Sequence, residues 1–397
     1  MSASPSGHLR LVGSAGANRA MEAELKRLAS RALGGRLPRP RRLDTQSLAY
    51  PFAPELAWLA VRYARTPSRV LWDLLEVEAG RLEPLHDMVF EALVNAPPAW
   101  MTAGQSFSVE VRRSDAFPAG PLQIRGAIKN ALLGASRQIG QPLRLDADNP
   151  QLLFRIEADG ERARLSLDLA GRSLHRRGAR THVSEASLKE TLAAQILLLA
   201  RWDPRSEALV DPMAGAGTFL LEAAGAASGS TVWPEGSLPP VAELEPFSRL
   251  DREAPPLFPG DLPPLAGIEV HTPAHRALTD NLRRDGSPAH TLHADFRDVP
   301  PDRLAEVFGD SELPERGLLV VNPPYGERLE QGRGRDPELD ALYSDLYEWW
   351  QGFGAGWRIA LLGPGRWLKD VFGAQPRLDK PMKNGPLSVS LLVYDNT

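Results

Sequence analysis

Four residues, Asn-Pro-Pro-Tyr at 322–325, come directly after an apolar run at 318–321 that predicts a buried strand. Proline has no N–H to donate to a sheet, so the chain must leave the sheet here. The side-chain oxygen of Asn322 and the carbonyl oxygen of Pro323 can accept two hydrogen bonds from an exocyclic amino group and orient its nitrogen lone pair. Tyr325 offers a ring on which a flipped base can stack. The pattern predicts a site that presents an amino nitrogen for group transfer; the alternative is a turn that only ends a strand.

Acidic residues and a glycine turn follow the three predicted strands that precede this one. The segment 211–217 has the pattern Asp-x-x-x-Gly-x-Gly, whose glycines permit a tight turn against a ligand. Glu269 follows the second strand, and Asp295 with Phe296 follows the third. Ligands bind beyond the carboxyl ends of parallel strands, so we expect these residues in one pocket. Glu269 can accept from two ribose hydroxyls and Asp295 from an adenine amino group, which predicts a pocket for an adenosine.

The glycine turn favours S-adenosylmethionine over NAD or ATP as the cofactor. A dinucleotide-binding turn would show a third glycine in register, and Asp211 would repel a phosphate but suit a cationic amino-acid head group. The predicted cofactor residues are Thr191, Asp211, Met213, Gly215, Gly217, Thr218, Glu269, Val270, Asp295, Phe296 and Asn322.

The 397-residue chain contains no cysteine, which excludes disulfides, zinc–thiolate sites and a thiolate nucleophile. C5-methylation of a pyrimidine needs such a thiolate, so the predicted acceptor is an amino nitrogen. The eight histidines show no ligand spacing, and we expect no metal site.

The net charge of −4 does not by itself indicate a nucleic-acid partner, and the distribution of charge along the chain is more informative. Residues 36–42 and 171–182 are basic, and the second stretch supplies Arg176, Arg177 and Arg180 as candidate phosphate contacts. Solvated loops are the alternative interpretation. No apolar run is long enough to span a membrane and no secretory signal is evident, so a cytoplasmic protein is predicted.

A parallel sheet must bring the candidate residues together, and the second half of the chain predicts one. After a helix at 187–202, with a capping box from Ser187 to Glu190, strand and helix patterns alternate through six strands. A proline-rich stretch at 230–264 is interpreted as an insertion on the rim of this sheet.

The first half predicts an α+β arrangement. Alternation indicates a strand at 105–113, and helical spacing indicates a helix at 121–138 with Arg125 and Lys129 on its polar flank. An Asp-Gly turn predicts a hairpin over 152–171. Arg125 and Lys129 are candidate RNA contacts, with plain solvent exposure as the alternative.

Five segments, in order along the chain, resemble the THUMP-domain RNA methyltransferases, and above all their bacterial 23S rRNA guanine-N2 branch. They are "SLDLAGRSLHRRG", "SLKETLAAQIL", "LVDPMAGAGTFLLEAA", "VVNPPYGERL" and "KNGPLSVSLLVYD". The resemblance implies a ferredoxin-like part at 1–65, a THUMP RNA-binding domain at 66–178 and a class I S-adenosylmethionine-dependent methyltransferase domain at 179–397. The implied fold is α/β, with a Rossmann-like, mainly parallel sheet behind an α+β module.

The same resemblance implies roles for single residues. It assigns the methionine end of the cofactor to Asp211, Gly215 and Gly217, the ribose to Glu269 and the adenine to Asp295. The implied catalytic residues, which hold the target guanine, are Asn322, Pro323, Pro324 and Tyr325. Lys383 belongs to a Lys-Asn-Gly motif that is expected near the substrate RNA. The implied reaction is methyl transfer to guanine N2 in structured RNA, with 23S rRNA as the partner.

Three departures qualify the resemblance. The first hundred residues match the family poorly. Glu269 stands where this branch has Asp, although either can hold a ribose. The chain lacks the second methyltransferase domain that some members carry, so one methylation is expected. Three alternatives stay open: a DNA or RNA adenine-N6 methyltransferase, which uses the same tetrapeptide; protein glutamine methylation; and a non-catalytic RNA-binding ribosome-assembly factor.

Overall fold

The computed structural model describes residues 7–78, 81–113, 115–160, 162–175, 177, 188–253, 255–325 and 336–396. The chain forms two compact units. The first contains Met1–Val12, Leu25–Leu174 and Glu235–Ala254, and the second contains Gly13–Glu24, His175–Pro234 and Pro255–Thr397.

The first unit is built on one eight-stranded sheet. Its strands are β1 (His8–Val12), β2 (Arg41–Arg42), β3 (Ser47–Pro51), β4 (Arg69–Glu78), β5 (Ser106–Arg113), β6 (Arg144–Leu145), β7 (Leu152–Asp159) and β8 (Arg162–Asp168). The order is β2-β3-β1-β4-β8-β7-β5-β6, and only the pairs that β5 makes with β6 and β7 are parallel. Helices α2 (Pro54–Tyr63), α3 (Leu82–Asn95) and α4 (Pro121–Gln138) accompany it, while α1 (Asn18–Ala32) begins in the second unit and ends in the first.

The elements of the first unit can be compared with those predicted for the first half of the chain. The strand at 105–113, the helix at 121–138 and the hairpin over 152–171 are confirmed by β5, α4 and the antiparallel pair of β7 and β8. The predicted division between residues 65 and 66 has no counterpart in the sheet, because β4 pairs with β1 on one side and with β8 on the other.

The second unit contains a seven-stranded sheet. Its strands are β9 (Ala208–Asp211), β10 (Leu265–Ile268), β11 (His290–Leu292), β12 (Gly317–Val321), β13 (Trp357–Gly363), β14 (Leu378–Asn384) and β15 (Leu387–Asp395). Its helices are α5 (Glu190–Leu199), α6 (Thr218–Ser228), α7 (Thr272–Asp285), α8 (Pro301–Phe308), α9 (Pro337–Gln351) and α10 (Gly365–Phe372). The order is β11-β10-β9-β12-β13-β15-β14; the first five strands are parallel, and β15 is antiparallel to both its neighbours.

Both faces of this sheet are buried, as the continuous apolar run of β12 predicts. Leu318 and Val320 point into a core formed with α5, α6 and α7, while Leu319 and Val321 point into a core formed with α8, α9 and α10. All five residues of β12 are buried. The tetrapeptide after it is therefore anchored to a rigid central strand.

Three details of the second unit differ from the sequence predictions. The strand β14 was missed, because Lys380 and Asn384 stand on its more buried face, so that its sequence shows no alternation of apolar and polar residues. The sequence predicts Thr272 as the N-cap of α7 and Gly286 as its end; the structure has His271 as the N-cap and confirms Gly286, whose φ of +70° suits glycine. The helix predicted at 187–202 is shorter, with Lys189 as N-cap, and Ser187 lies outside the described residues.

Of the proline-rich stretch at 230–264, residues 235–254 belong to the first unit, so for these residues the interpretation as an insertion on the rim of the parallel sheet is wrong. Two side chains of α2 hold it. The Trp58 Nε1–H donates to the Asp251 carbonyl at 2.9 Å, and the Arg62 guanidinium donates to the carbonyl oxygens of residues 251, 252 and 253. Phe247 is fully buried against an aromatic cluster that includes Trp58. Throughout the part of the chain that the structure describes, every helix is too short or too polar to cross a membrane.

Candidate active site

A cavity of about 1220 Å³ opens at the carboxyl ends of the parallel strands of the second unit. Its wall is formed by the turn after β9, the segments that follow β10 and β11, the tetrapeptide after β12, the first turn of α9 and the turn between β14 and β15. This is the edge of the sheet at which doubly wound folds bind ligands.

Most of the predicted site residues meet in this cavity. Those that line it are Met213, Gly215, Glu269, Val270, Asp295, Phe296, Asn322, Pro323, Pro324 and Tyr325. Four predicted cofactor residues do not line it, namely Thr191, Asp211, Gly217 and Thr218. Wall residues without a predicted role include His271, Arg297 and Asp336. Lys189 and Asn384, the latter from the Lys-Asn-Gly motif expected near the substrate, also line the cavity.

Glu269 fixes the two loops that flank the cavity. Its Oε2 accepts from the Gly215 N–H at 2.8 Å, and its Oε1 accepts from the His271 N–H at 2.8 Å. One buried carboxylate thus ties the glycine turn after β9 to the start of α7. Each oxygen keeps a further lone pair, so Glu269 remains able to accept from a ligand.

The two glycines of the turn after β9, Gly215 and Gly217, have different surroundings. Gly215 has a φ of +54°, and a Cβ placed on it would meet no atom within 4 Å. Gly217 has a φ of +84°, and a Cβ there would lie 2.7 Å from Leu278 of α7. Gly215 therefore leaves backbone open to a ligand, whereas Gly217 allows α6 to begin close against α7.

Asp211 lies behind this turn and is 2% exposed. Its Oδ1 accepts from the Met213 N–H at 3.1 Å. Burial raises the pKa of Asp211 to about 8, and the neighbouring Glu269 carboxylate also raises it. The neutral acid is therefore the favoured form at pH 7 in this structure.

Asp295 forms an ion pair with Arg297, which lies in the same loop. The Arg297 side chain donates to both Asp295 oxygens, at 2.9 and 2.6 Å, and also to Asp345 of α9 at 3.1 Å. Hydrogen bonds from Arg297 lower the pKa of Asp295, so the carboxylate is charged. Phe296 beside it is 4% exposed and packs edge-on against Trp349 of α9. The loop after β11 thereby presents a rigid acceptor to the cavity.

A chain of side-chain hydrogen bonds crosses the tetrapeptide. The Tyr325 hydroxyl donates to Asn322 Oδ1 at 3.0 Å and accepts from Asn384 Nδ2 at 2.9 Å. The Tyr343 hydroxyl of α9 donates to the Pro324 carbonyl at 2.8 Å. Tyr325 is only 7% exposed, so most of its ring packs in the core and little of its face is open to a base.

The candidate RNA-binding residues differ in their exposure and in their partners. Arg125 is exposed and Lys129 half-buried on α4, and Lys383 is exposed but donates to Ser388 at 2.6 Å. Arg177 needs a correction: it is 6% exposed and paired with the buried Glu222, so its guanidinium is not available to a phosphate. Arg176 and Arg180 lie outside the described residues.

The order of the second unit's sheet and the position of its cavity define a class I methyltransferase fold. Two solved structures have the same fold over nearly the whole chain. SMU.472, solved in complex with SAH, has a TM-score of 0.74 at 22% identity and covers 100% of this chain and 99% of its own. TrmN from Thermus thermophilus has a TM-score of 0.68 at 20% identity and covers 98% and 99%.

The chain belongs to the RMKL-like methyltransferase domain family, whose family model matches residues 177–392. A relative from Syntrophotalea carbinolica named ribosomal RNA large subunit methyltransferase K/L is 35% identical over 361 residues, which are 86% of this chain and 48% of the relative. The chain spans about half the length of the curated relatives it matches. The family resemblance predicted from the five sequence segments is confirmed.

Proposed function

We propose that this protein transfers a methyl group from S-adenosylmethionine to the exocyclic N2 amine of a guanine in large-subunit ribosomal RNA. The observation that carries the proposal is that Asn322 and Pro323 line the same cavity as the glycine turn and Glu269. The residues proposed to accept an amine and those proposed to hold an adenosine thereby share one space of about 1220 Å³.

The residues present fit S-adenosylmethionine. The open backbone at Gly215 would accommodate its methionine end, Glu269 would accept from its ribose hydroxyls, and Asp295 would accept from its adenine amine. When bound, this cofactor supplies an electrophilic methyl group on a sulfonium. The raised pKa of Asp211 makes its side chain a poor cation partner unless the ligand's ammonium displaces the proton.

The protein's own contribution to the transfer is orientation. Asn322 Oδ1 and the Pro323 carbonyl would accept the two amine hydrogens, which localises the nitrogen lone pair and directs it towards the methyl donor. The Pro324 carbonyl is held by Tyr343, so the backbone of the tetrapeptide is fixed from α9. This arrangement would orient an amine through hydrogen-bond acceptors.

Support for RNA as the acceptor comes from two sides. The curated relatives are named ribosomal RNA large subunit methyltransferases, and the chain shares their family. Arg125 and Lys129 on α4 of the first unit provide positive charge that a phosphate backbone can contact. We infer that the first unit contains the ferredoxin-like and THUMP parts and binds the RNA, and that the protein works where ribosomes assemble, in the cytoplasm.

The test is methyl transfer from labelled S-adenosylmethionine to 23S and 16S rRNA from cells that lack this protein, followed by nucleoside analysis. Label in N2-methylguanosine of 23S rRNA is expected. Label in N6-methyladenosine would retain the cofactor and overturn the base, and label in neither rRNA would overturn the proposal.

Asn322→Ala is the matching variant. We expect it to lose transfer by a factor of about 10² to 10³, as loss of one orienting group does in other enzymes. Cofactor affinity, measured by calorimetry, should stay within about twofold, because Asn322 acts on the acceptor. Unchanged transfer by this variant would remove Asn322 from the mechanism.

A further inference from the structure

We propose that Asn384, at the tip of the β14–β15 hairpin, is a positioning residue that acts on Asn322 through the hydroxyl of Tyr325. The inference deepens the function proposed above and rests on it. It adds a distant hairpin to the machinery that orients the acceptor amine.

The direction of the hydrogen bonds carries the argument. Asn384 Nδ2 lies 2.9 Å from the Tyr325 hydroxyl oxygen, and this oxygen lies 3.0 Å from Asn322 Oδ1. An amide nitrogen can only donate, so the tyrosine oxygen must be the acceptor of the first bond. The single hydroxyl proton is then left for the second bond, in which Asn322 Oδ1 accepts.

The surroundings keep this proton in place. Burial raises the pKa of Tyr325, so the phenol stays neutral and retains its proton at physiological pH. Its ring is packed in the core at 7% exposure, which leaves the hydroxyl little freedom to find other partners.

The hairpin gives Asn384 a fixed place. Asn384 is the last residue of β14 and faces Leu387 of β15, and the intervening turn includes Gly385 with a φ of +59°. Seven residue pairs connect the two strands in register. Asn384 therefore projects from a regular two-stranded ladder, and residues 384–387 line the cavity beside the tetrapeptide.

The consequence for Asn322 is a fixed amide plane. An amide oxygen accepts two hydrogen bonds, and the tyrosine proton occupies one of its lone pairs. The other lone pair is then directed to the cavity, where the amine of the target base would donate. Without Asn384, the tyrosine hydroxyl can rotate and Asn322 is held less well. Positioning losses of this kind lower the turnover of bound substrate more than its binding.

Asn384→Asp and Asn384→Ala test the direction of the hydrogen bonds from Asn384 through Tyr325 to Asn322. An aspartate carboxylate has the same size but can only accept hydrogen bonds. The Tyr325 hydroxyl would therefore donate to residue 384, and its lone pairs would face Asn322 Oδ1. We expect kcat to fall about tenfold in Asn384→Ala and at least as far in Asn384→Asp, with the KM for rRNA changed less than about threefold. Gln375→Glu, on an exposed loop of the same unit, is the matched amide-to-carboxylate control and should leave kcat unchanged.

A double-mutant cycle with Tyr325→Phe tests the route. If Asn384 acts through the hydroxyl, Asn384→Ala should change kcat less than about twofold once that hydroxyl is absent. A full tenfold loss in the Tyr325→Phe background would overturn the proposal. So would wild-type kcat in Asn384→Asp, or a loss confined to KM.

A measurement without RNA separates this inference from the proposed function. In protein labelled with ¹⁵N-asparagine, the side-chain amide signal of Asn322, assigned through its Ala variant, should shift in both Asn384→Ala and Tyr325→Phe. An unmoved signal overturns the hydrogen-bond relay from Asn384 through Tyr325 to Asn322, whatever the methyltransferase assay shows. A shifted signal in a protein that methylates no RNA would keep the relay and reject the proposed function.

Discussion

Replacing Asp211 by asparagine should make the second unit more stable at neutral and alkaline pH. The side chain is 2% exposed, and burial raises its pKa from an ordinary value of 3.8 to about 8. Ionising it in the folded state therefore costs free energy that an amide does not incur. The amide oxygen of the Asp211→Asn variant would keep the acceptor for the Met213 N–H, which Asp211 Oδ1 now provides at 3.1 Å.

The sign follows from proton uptake. Between pH 3.8 and about 8 the folded protein holds a proton on Asp211 that the unfolded chain has lost. Stability from this group is fully present below pH 3.8 and is lost as pH rises towards the folded pKa. The loss is roughly 1.4 kcal/mol per pH unit within that window. Between about pH 5.5 and 7.5 the advantage of the variant over wild type should thus grow by about 2–3 kcal/mol.

The assay is urea unfolding of both proteins at about pH 5.5, 6.5 and 7.5, followed by hydrogen exchange of the peptide that contains β9. This peptide reports on the second unit alone. Every other titratable group is shared, so the difference between the two curves isolates residue 211. A free-energy difference that stays constant with pH, or that moves in favour of wild type as pH rises, would refute the reasoning.

Three further predictions concern the glycine turn after β9, residues 235–253 and the candidate RNA contacts on α4. Gly217→Ala should lower the free energy of unfolding by about 1–3 kcal/mol, because alanine is strained at a φ of +84° and its Cβ would press on α7; a stability equal to wild type in urea titration would contradict this. Arg62→Leu should speed proteolytic cleavage within residues 235–253 by at least about tenfold, because three carbonyl groups lose their donor, and an unchanged digestion pattern would argue against that anchor. Arg125→Ala combined with Lys129→Ala should weaken rRNA binding and reduce the slope of log affinity against log salt by about 1.5 to 2; an unchanged slope would leave both residues as plain solvated charges.

Local rules determined much of the second unit from sequence alone. The apolar run at 318–321 and the two prolines after it fixed where β12 ends, because proline cannot continue a ladder. Acids and glycines after β9 and β10 indicated a ligand edge, and Gly215 and Glu269 do line one cavity. These inferences succeeded because periodicity, proline and glycine act on the few residues around them.

Partners that are distant along the chain were decided by the tertiary structure. Arg177 has the sequence context of an exposed basic loop, but it meets Glu222 and is buried. The stretch 230–264 was interpreted as an insertion on the parallel sheet's rim, but Trp58 and Arg62 of α2 bind residues 251–253 of it. An ion pair or a clamp of this kind needs two segments that only the folded chain brings together.

The contact between Asn384 and Tyr325 shows most clearly the difference between what local sequence predicts and what the tertiary structure decides. The sequence predicted that Asn322 orients an amine, since its type and its place after a strand suffice for that. The two residues of the contact are 59 positions apart, and no periodicity relates them. They meet because β14 pairs with β15, and β15 pairs with β13 next to β12. Sequence pattern thus predicted which groups could carry the chemistry, and strand pairing at long range decided which groups lie within hydrogen-bond distance of them, because hydrogen-bond partners are set by distance in space.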